Sequence, residues 1–214
     1  MDSETRTGAG EVPPPGQLAV PERSRRSDFV KRGVIVGGVA LAGAAVAGGP
    51  RLTDAAQLSQ PDQRALELLL LVEYTEEAFY AEALRRGELS GKVLQYAQTV
   101  AEQEKQHLEA IAGALGGRAE SKPEFDFGDK TGSSEAFATA AGDLEDLSVA
   151  AYNGQGTNVS KEILAAAGKI VSVEARHAAW IRSIVGEPPA PDTTDTPQSA
   201  NEVLEGLQQA GMRR

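Results

Sequence analysis

The chain contains no cysteine. That excludes disulfide frameworks, thiolate nucleophiles and metal or iron–sulfur sites built on Cys. Only two histidines occur in 214 residues, so a metal site must use one or both, or carboxylates alone. Aromatic residues make up 5% of the chain while alanine is abundant, a balance that favours helices over sheets. Basic residues are outnumbered, 21 against 31 acidic, for a formal net charge of −10. Nucleic-acid binding needs clustered Lys and Arg against phosphates, so no nucleic-acid partner is expected. The length suits one domain of ordinary size with tails.

Residues 1–22 are polar, rich in Pro and Gly, and lack a repeating apolar face, a composition that predicts disorder. A charged segment around Arg25-Arg26 and Lys31-Arg32 follows, then a weakly apolar run from Gly33 to Gly49. With Ala45-Val46-Ala47 as an A-x-A site, these parts form the pattern of an export signal. The paired arginines resemble a twin-arginine (Tat) signal, although Phe29 sits one residue late, Asp28 intrudes and Val30 replaces Leu. Residues 1–47 are therefore assigned to a disordered terminus plus signal, and 48–58 to a linker. The expected location is outside the cytoplasm, in the periplasm, the cell envelope or the medium. If it is not cleaved, the same run would serve as an N-terminal anchor, the one membrane contact expected. It is at the short end of the ~17–25 residues that span a bilayer.

Beyond Pro50 four stretches show helical periodicity. The first runs from about Asp62 to Arg86, opened by Ser59 with Asp62 three residues later, and aligns Leu66, Leu69, Leu70, Tyr80, Ala81 and Leu84. The second, about Gly91 to Leu115, aligns Val93, Ala97, Val100, Ala101, Leu108 and Ile111. The third, about Ser134 to Tyr152, carries Phe137, Ala141, Leu144 and Leu147. The fourth, Lys161 to Val185, carries Leu164, Ala167, Ile170, Val171, Ala178 and Ile181. Short connections join the first to the second and the third to the fourth, so each pair should be antiparallel. The middle connection, Gly117 to Ser133, extends to about 55 Å at ~3.3 Å per residue. A helix of 25 residues is about 38 Å long, so this connection can travel the length of a bundle. The expected fold is all-α: two antiparallel helix pairs joined by a long crossover, over residues 59–186. Residues 187–214 read as a Pro-rich linker ending in a short amphipathic helix with Val203, Leu204 and Leu207.

Carboxylates interrupt the apolar stripes. Glu104 and His107 lie between Val100 and Ile111, and Glu174 and His177 lie between Ile170 and Ile181. Both pairs read Glu-x-x-His, a spacing that turns carboxylate and imidazole the same way on a helix, so that they can grip one ion. Unpaired buried charges cost several kcal/mol each, so such an interior cluster requires cations or protons. Glu73 continues the first stripe, with Glu76 and Glu77 as competitors; Glu145 continues the third, with Asp143 and Asp146 as competitors. Tyr80 and Tyr152 follow Glu73 and Glu145 by seven residues, which suggests two similar halves. The candidate metal ligands are Glu73, Glu104, His107, Glu145, Glu174 and His177. Trp180 lies three residues beyond His177 and reads as a core side chain or an electron-transfer residue. Glu102 and Glu109 read as solvated.

This constellation resembles the di-iron carboxylate proteins of the ferritin-like superfamily, which include ferritins, bacterioferritins, rubrerythrins and manganese catalases. Taken whole, the chain is most similar to bacterial exported ferritin-like domain proteins in which a Tat-like leader precedes the bundle. The resemblance implies a ferritin-like four-helix bundle holding two Fe ions, or Mn as the alternative. It further implies that Glu104 and Glu174 bridge the ions, that Glu73 and Glu145 cap one each, and that His107 and His177 bind one each. Tyr80 and Tyr152 would then be partners of the ligands, through a hydrogen bond or as electron donors. The expected partners are metal ions and O2 or peroxide. The assembly state is left open, with a homodimer among the options. The expected activity is oxidation of Fe2+ or reduction of O2 or peroxide. The alternative is a non-catalytic envelope or stress-related bundle that only binds metal.

Overall fold

A computed structural model describes residues 58–213. The Tat-like segment and nearly all of the 48–58 linker lie outside the described residues. Four long helices dominate: α1 (Gln60–Arg86), α2 (Gly91–Leu115), α3 (Ser134–Gln155) and α4 (Lys161–Val185), followed by the short α5 (Ala200–Ala210). Among the described residues no helix is long and apolar enough to cross a membrane.

Helix starts follow local chemistry. Ser59 caps α1 by accepting from the Asp62 N–H at 3.2 Å. The Asp62 carboxylate then accepts from the Ser160 N–H at 2.7 Å, tying the N-terminus of α1 to that of α4. Ser133 and Ser160 cap α3 and α4, and a capping box of Ser199 with Glu202 opens α5.

The crossover from α2 to α3 runs along α1. Tyr74 donates to the Glu120 carbonyl, Lys122 pairs with Glu77, and Arg86 donates to the Gly128 carbonyl at 2.8 Å and to Thr131 Oγ1 at 2.7 Å. At its end Ser134 Oγ accepts from the Ser90 N–H. The crossover therefore spans the bundle, and α3 starts where α2 starts, so these two helices are parallel. This is the ferritin-like arrangement of two antiparallel pairs.

Three features depart from the sequence reading. The third helix continues through Gln155, three residues beyond Tyr152, where the Asn-Gly-Gln run suggested a turn. Gly154 serves a crossing instead: a Cβ there would sit 1.9 Å from the Gln198 carbonyl oxygen, because the 187–199 linker lies on α3 with Gln198 N–H donating to Ala150 O at 3.1 Å. A two-residue strand pair, β1 (Glu124–Phe125) with β2 (Met212–Arg213), fastens the C-terminal end to the crossover; it is too short to leave a period in the sequence. Finally, Ala81 and Leu164 face solvent, Leu164 with 46% of its surface exposed. In each case the buried stripe passes through the preceding residue, Tyr80 or Ile163.

The interior has two apolar plugs with a polar layer between them. One plug contains Leu66, Leu69, Leu70, Ile111, Leu115, Ile163 and Ile170, covered by Val203 and Leu207 of α5. The other contains Phe79, Tyr80, Tyr96, Val100, Phe137, Leu144 and Ile181. Fully burying each large side chain contributes about 1.5–3 kcal/mol, so both ends of the polar layer are firmly held.

Candidate metal centre

Each of the four helices enters the polar layer at mid-length. Glu73, Glu76, Glu104, Glu145 and Glu174 are each fully buried, at 0% exposure, with His107 and His177 also buried. All six sequence-derived ligand candidates therefore meet in one place. Competition between neighbours was decided by which side of the helix the bundle covers. Glu77 is half-buried and pairs with Lys122, while Asp143 and Asp146 are exposed.

The arrangement is two-fold in character. His107 Nδ1 lies 3.0 Å from Glu104 Oε2, 2.7 Å from Glu174 Oε1 and 4.0 Å from Glu73 Oε2. His177 Nδ1 lies 2.9 Å from Glu104 Oε1, 3.4 Å from Glu174 Oε2 and 3.3 Å from Glu145 Oε2. Glu104 and Glu174 thus each offer one oxygen to each imidazole, while Glu73 and Glu145 each face one. The imidazole rings stack 6.1 Å apart between centres. Donor atoms of Glu73, Glu104, His107 and Glu174 lie within 4.8 Å of one another, as do those of Glu104, Glu145, Glu174 and His177.

These donors fit cations better than they fit each other. Glu73 Oε2, Glu104 Oε1, Glu145 Oε2, both oxygens of Glu174 and His177 Nδ1 are buried without a hydrogen-bond partner, close together but misaligned for hydrogen bonding. Such orphaned atoms are rare in an interior and call for a ligand or a proton. Their outer sides are well held. Tyr152 donates to Glu73 Oε1, and Tyr80 donates to Glu145 Oε1. The seven-residue Glu-to-Tyr interval is therefore used crosswise: the tyrosine of α3 holds the carboxylate of α1, and the reverse.

Electrostatics follow from crowding. Burial, and next the charges of Glu174 and Glu104, push the carboxyls of Glu73 and Glu76 well above their ordinary value. Burial pushes Glu145 up to about 7. Burial alone would lower the imidazoles, but the surrounding carboxylates outweigh it and raise His107 to about 11 and His177 to about 12. The phenols of Tyr80, Tyr96 and Tyr152 are raised by burial first and by the adjacent carboxylates, so they remain donors.

Residues 61–187 match the family model described as a ferritin-like domain. The chain belongs to the ferritin-like domain family. No curated protein matches it. The buried Glu and His cluster of this ferritin-like chain is compatible with a site for metal ions.

Three residues of the ferritin-like site stand outside the six ligand candidates. Glu76, a competitor of Glu73 in the sequence, is buried alongside it, and neither Glu76 oxygen has a partner. The spacing Glu73-x-x-Glu76 repeats that of Glu-x-x-His and was the available signal. The Tyr96 hydroxyl lies 2.9 Å from that of Tyr80 and 3.2 Å from Glu145 Oε1; because Tyr80 gives its one hydrogen to Glu145, the single Tyr96 hydrogen is shared between these two acceptors. Gln103 Oε1 lies 2.6 Å from His177 Nε2; accepting that N–H leaves Nδ1 facing the carboxylates. Trp180, expected in the core or in electron transfer, is 39% exposed and meets the Tyr96 ring edge-on.

Proposed function

We propose that this ferritin-like protein holds two iron or manganese ions and oxidises Fe2+, or reduces O2 or peroxide, outside the cytoplasm. The observation that carries the reading is the sharing of Glu104 and Glu174 between two imidazoles. Glu104 and Glu174 would bridge the ions, with Glu73 and His107 completing one position and Glu145 and His177 the other. Two histidines amid oxygen donors suit iron or manganese better than copper in ligand type. Bound together, the two ions would supply two electrons to one O2 or peroxide.

The protein's own part is positional. Tyr152 and Tyr80 hold the outer oxygens of Glu73 and Glu145, leaving the inner oxygens for cations. Gln103 fixes the His177 ring. The apolar plugs on both sides exclude bulk water, which strengthens every charge interaction within. The Tat-like leader supports export, because that route carries folded cargo and a protein that loads metal before export avoids competing Cu2+ and Zn2+.

Anaerobic Fe2+ titration tests the reading. About two ions should bind per chain, and admitting O2 should oxidise them. Binding no greater than background overturns it. Binding that survives Glu104→Gln with His107→Gln also overturns it; intact binding with no oxidation leaves the structural, metal-holding bundle instead.

A further inference from the structure

Between α3 and α5 lies a cavity of about 480 Å3, and none of the buried carboxylates or imidazoles of the polar layer lines it. Buried Phe79 and Leu144 form its floor, and Leu147 extends the apolar wall. The cavity is held open on three sides. α5 approaches α3 so closely that a Cβ on Gly206 would sit 2.8 Å from both Leu147 methyl carbons. Lys130 of the crossover donates to the Gln209 and Ala210 carbonyls at 2.6 and 3.2 Å, holding the C-terminal end of α5. The Gln198 N–H donates to Ala150 O at 3.1 Å, which fixes the linker against α3. A concave site of this size, with an apolar floor and walls already in place, is of the kind that takes small organic molecules.

Its polar groups are unbalanced. Lys130, the cation among its lining residues, is committed to two carbonyls. Gln198 also lines the cavity, and its Oε1 is buried with no hydrogen-bond donor, an atom that calls for one. Asp143 and Asp146 stand at the rim, one turn apart on α3. Asp146 pairs with Arg182, whereas Asp143 has no ion pair among the described residues. Burial, with the charges of Asp143 and Asp195, holds the Asp146 carboxyl above its ordinary value even beside Arg182. What the cavity lacks is therefore an N–H donor, a positive charge and an apolar body.

We propose that this cavity binds a small aliphatic ammonium ion, its chain on Phe79, Leu144 and Leu147 and its N–H groups directed at Gln198 Oε1 and Asp143. An ammonium group brings three donors and a charge at one atom. Moving its hydrocarbon chain from water onto buried apolar side chains drives the association. A carboxylate of the same length would meet Asp143 and Asp146 as like charges, and an alcohol would leave them unanswered. A bare divalent cation would find too few oxygens beside an apolar floor to fill its shell. Because no metal-ligand candidate lines the cavity, the proposal stands apart from the metal reading.

The test titrates the isotope-labelled full chain, with chelator present, with n-hexylammonium chloride. The Gln198 side-chain amide and the Gly206 backbone amide are followed by nuclear magnetic resonance. Saturable shifts of both are expected, with a dissociation constant below ~1 mM. Hexanol and hexanoate should each bind about tenfold more weakly or worse, the worth of hydrogen bonds to a charged group. Gln198→Leu, which keeps the backbone contact to Ala150, should weaken hexylammonium about tenfold, and Asp143→Asn should do the same. The proposal is overturned by the absence of saturable shifts at these two amides, by hexanol binding as tightly as hexylammonium, or by hexanoate binding more tightly. Unchanged affinity in either folded variant also overturns it. The comparison of the three ligands uses the unaltered chain, so it decides the matter even where a variant fails to fold.

Discussion

Tyr152 on α3 donates its phenolic hydrogen to Oε1 of Glu73 on α1, 79 residues away in the chain. The mirror contact joins Tyr80 to Glu145, but there Tyr96 adds a second donor at 3.2 Å. The two capping carboxylates are thus held with unequal redundancy, and that inequality has measurable consequences.

Removing a hydrogen bond to a ligand typically weakens metal binding about 10–100-fold. Tyr152→Phe leaves Glu73 Oε1 with no phenol, so its Mn2+ affinity should fall within that range. Tyr80→Phe leaves Tyr96 on Glu145 and should cost less. Competition against a chelator of known affinity measures both. Equal losses would show that Tyr96 does not substitute.

Glu76 is fully buried, and neither of its oxygens has a partner. Glu76→Leu should stabilise the metal-free protein by roughly 1–4 kcal/mol, the range seen when buried ionic groups give way to apolar side chains. The midpoint of urea unfolding in the presence of chelator reads the gain. A loss of stability would mean that Glu76 is compensated in a way its contacts do not reveal.

The metal-free protein should lose stability as pH rises. His107 and His177 bind protons more tightly when folded, at about 11 and 12 against an ordinary 6.5, and Glu145 does so at about 7 against 4.5. The folded chain therefore carries extra protons. The Glu145 contribution fades between about 4.5 and 7, and those of the imidazoles from about 6.5 upward. Asp62 works in the opposite sense: hydrogen bonds from Ser160 and Ser59 outweigh burial and hold it low, so its contribution is lost only in strong acid. Calorimetric melting with chelator should show a midpoint falling between about pH 5 and pH 9. Saturating Mn2+ should flatten that slope, since cations replace the protons.

Gly154→Ala places a methyl group on the Gln198 carbonyl, where a Cβ would stand 1.9 Å from the oxygen. That oxygen is backbone, so the linker must move, at a cost of about 1–3 kcal/mol. Proteolysis between residues 187 and 199 should quicken while metal binding is kept, because Gly154 lies at the far end of α3 from Ser134 and nine residues past Glu145.

Much of this centre could be read before any coordinates. Helical period, two Glu-x-x-His pairs and the matched Glu-to-Tyr intervals are local facts, because residues three, four and seven apart share a helix face whatever surrounds the helix. The six ligand candidates and the bundle with its crossover follow from that periodicity and from loop lengths. What no local pattern could specify is which neighbour each face meets. Glu76 and Glu77 are adjacent and chemically identical, yet α1 turns one into the bundle and the other toward Lys122. Tyr96 stands outside the stripe read for the second helix, and its place in the site shows only when α1, α3 and α4 bring Tyr80, Glu145 and Trp180 against it. Sequence determined the helices, their pairing and the acids and imidazoles they carry inward, because these depend on spacing along one chain. Tertiary packing alone decided the crosswise tyrosine contacts, the orphaned Glu76 and the meeting of Tyr96 with Trp180, because each depends on how separate helices are placed.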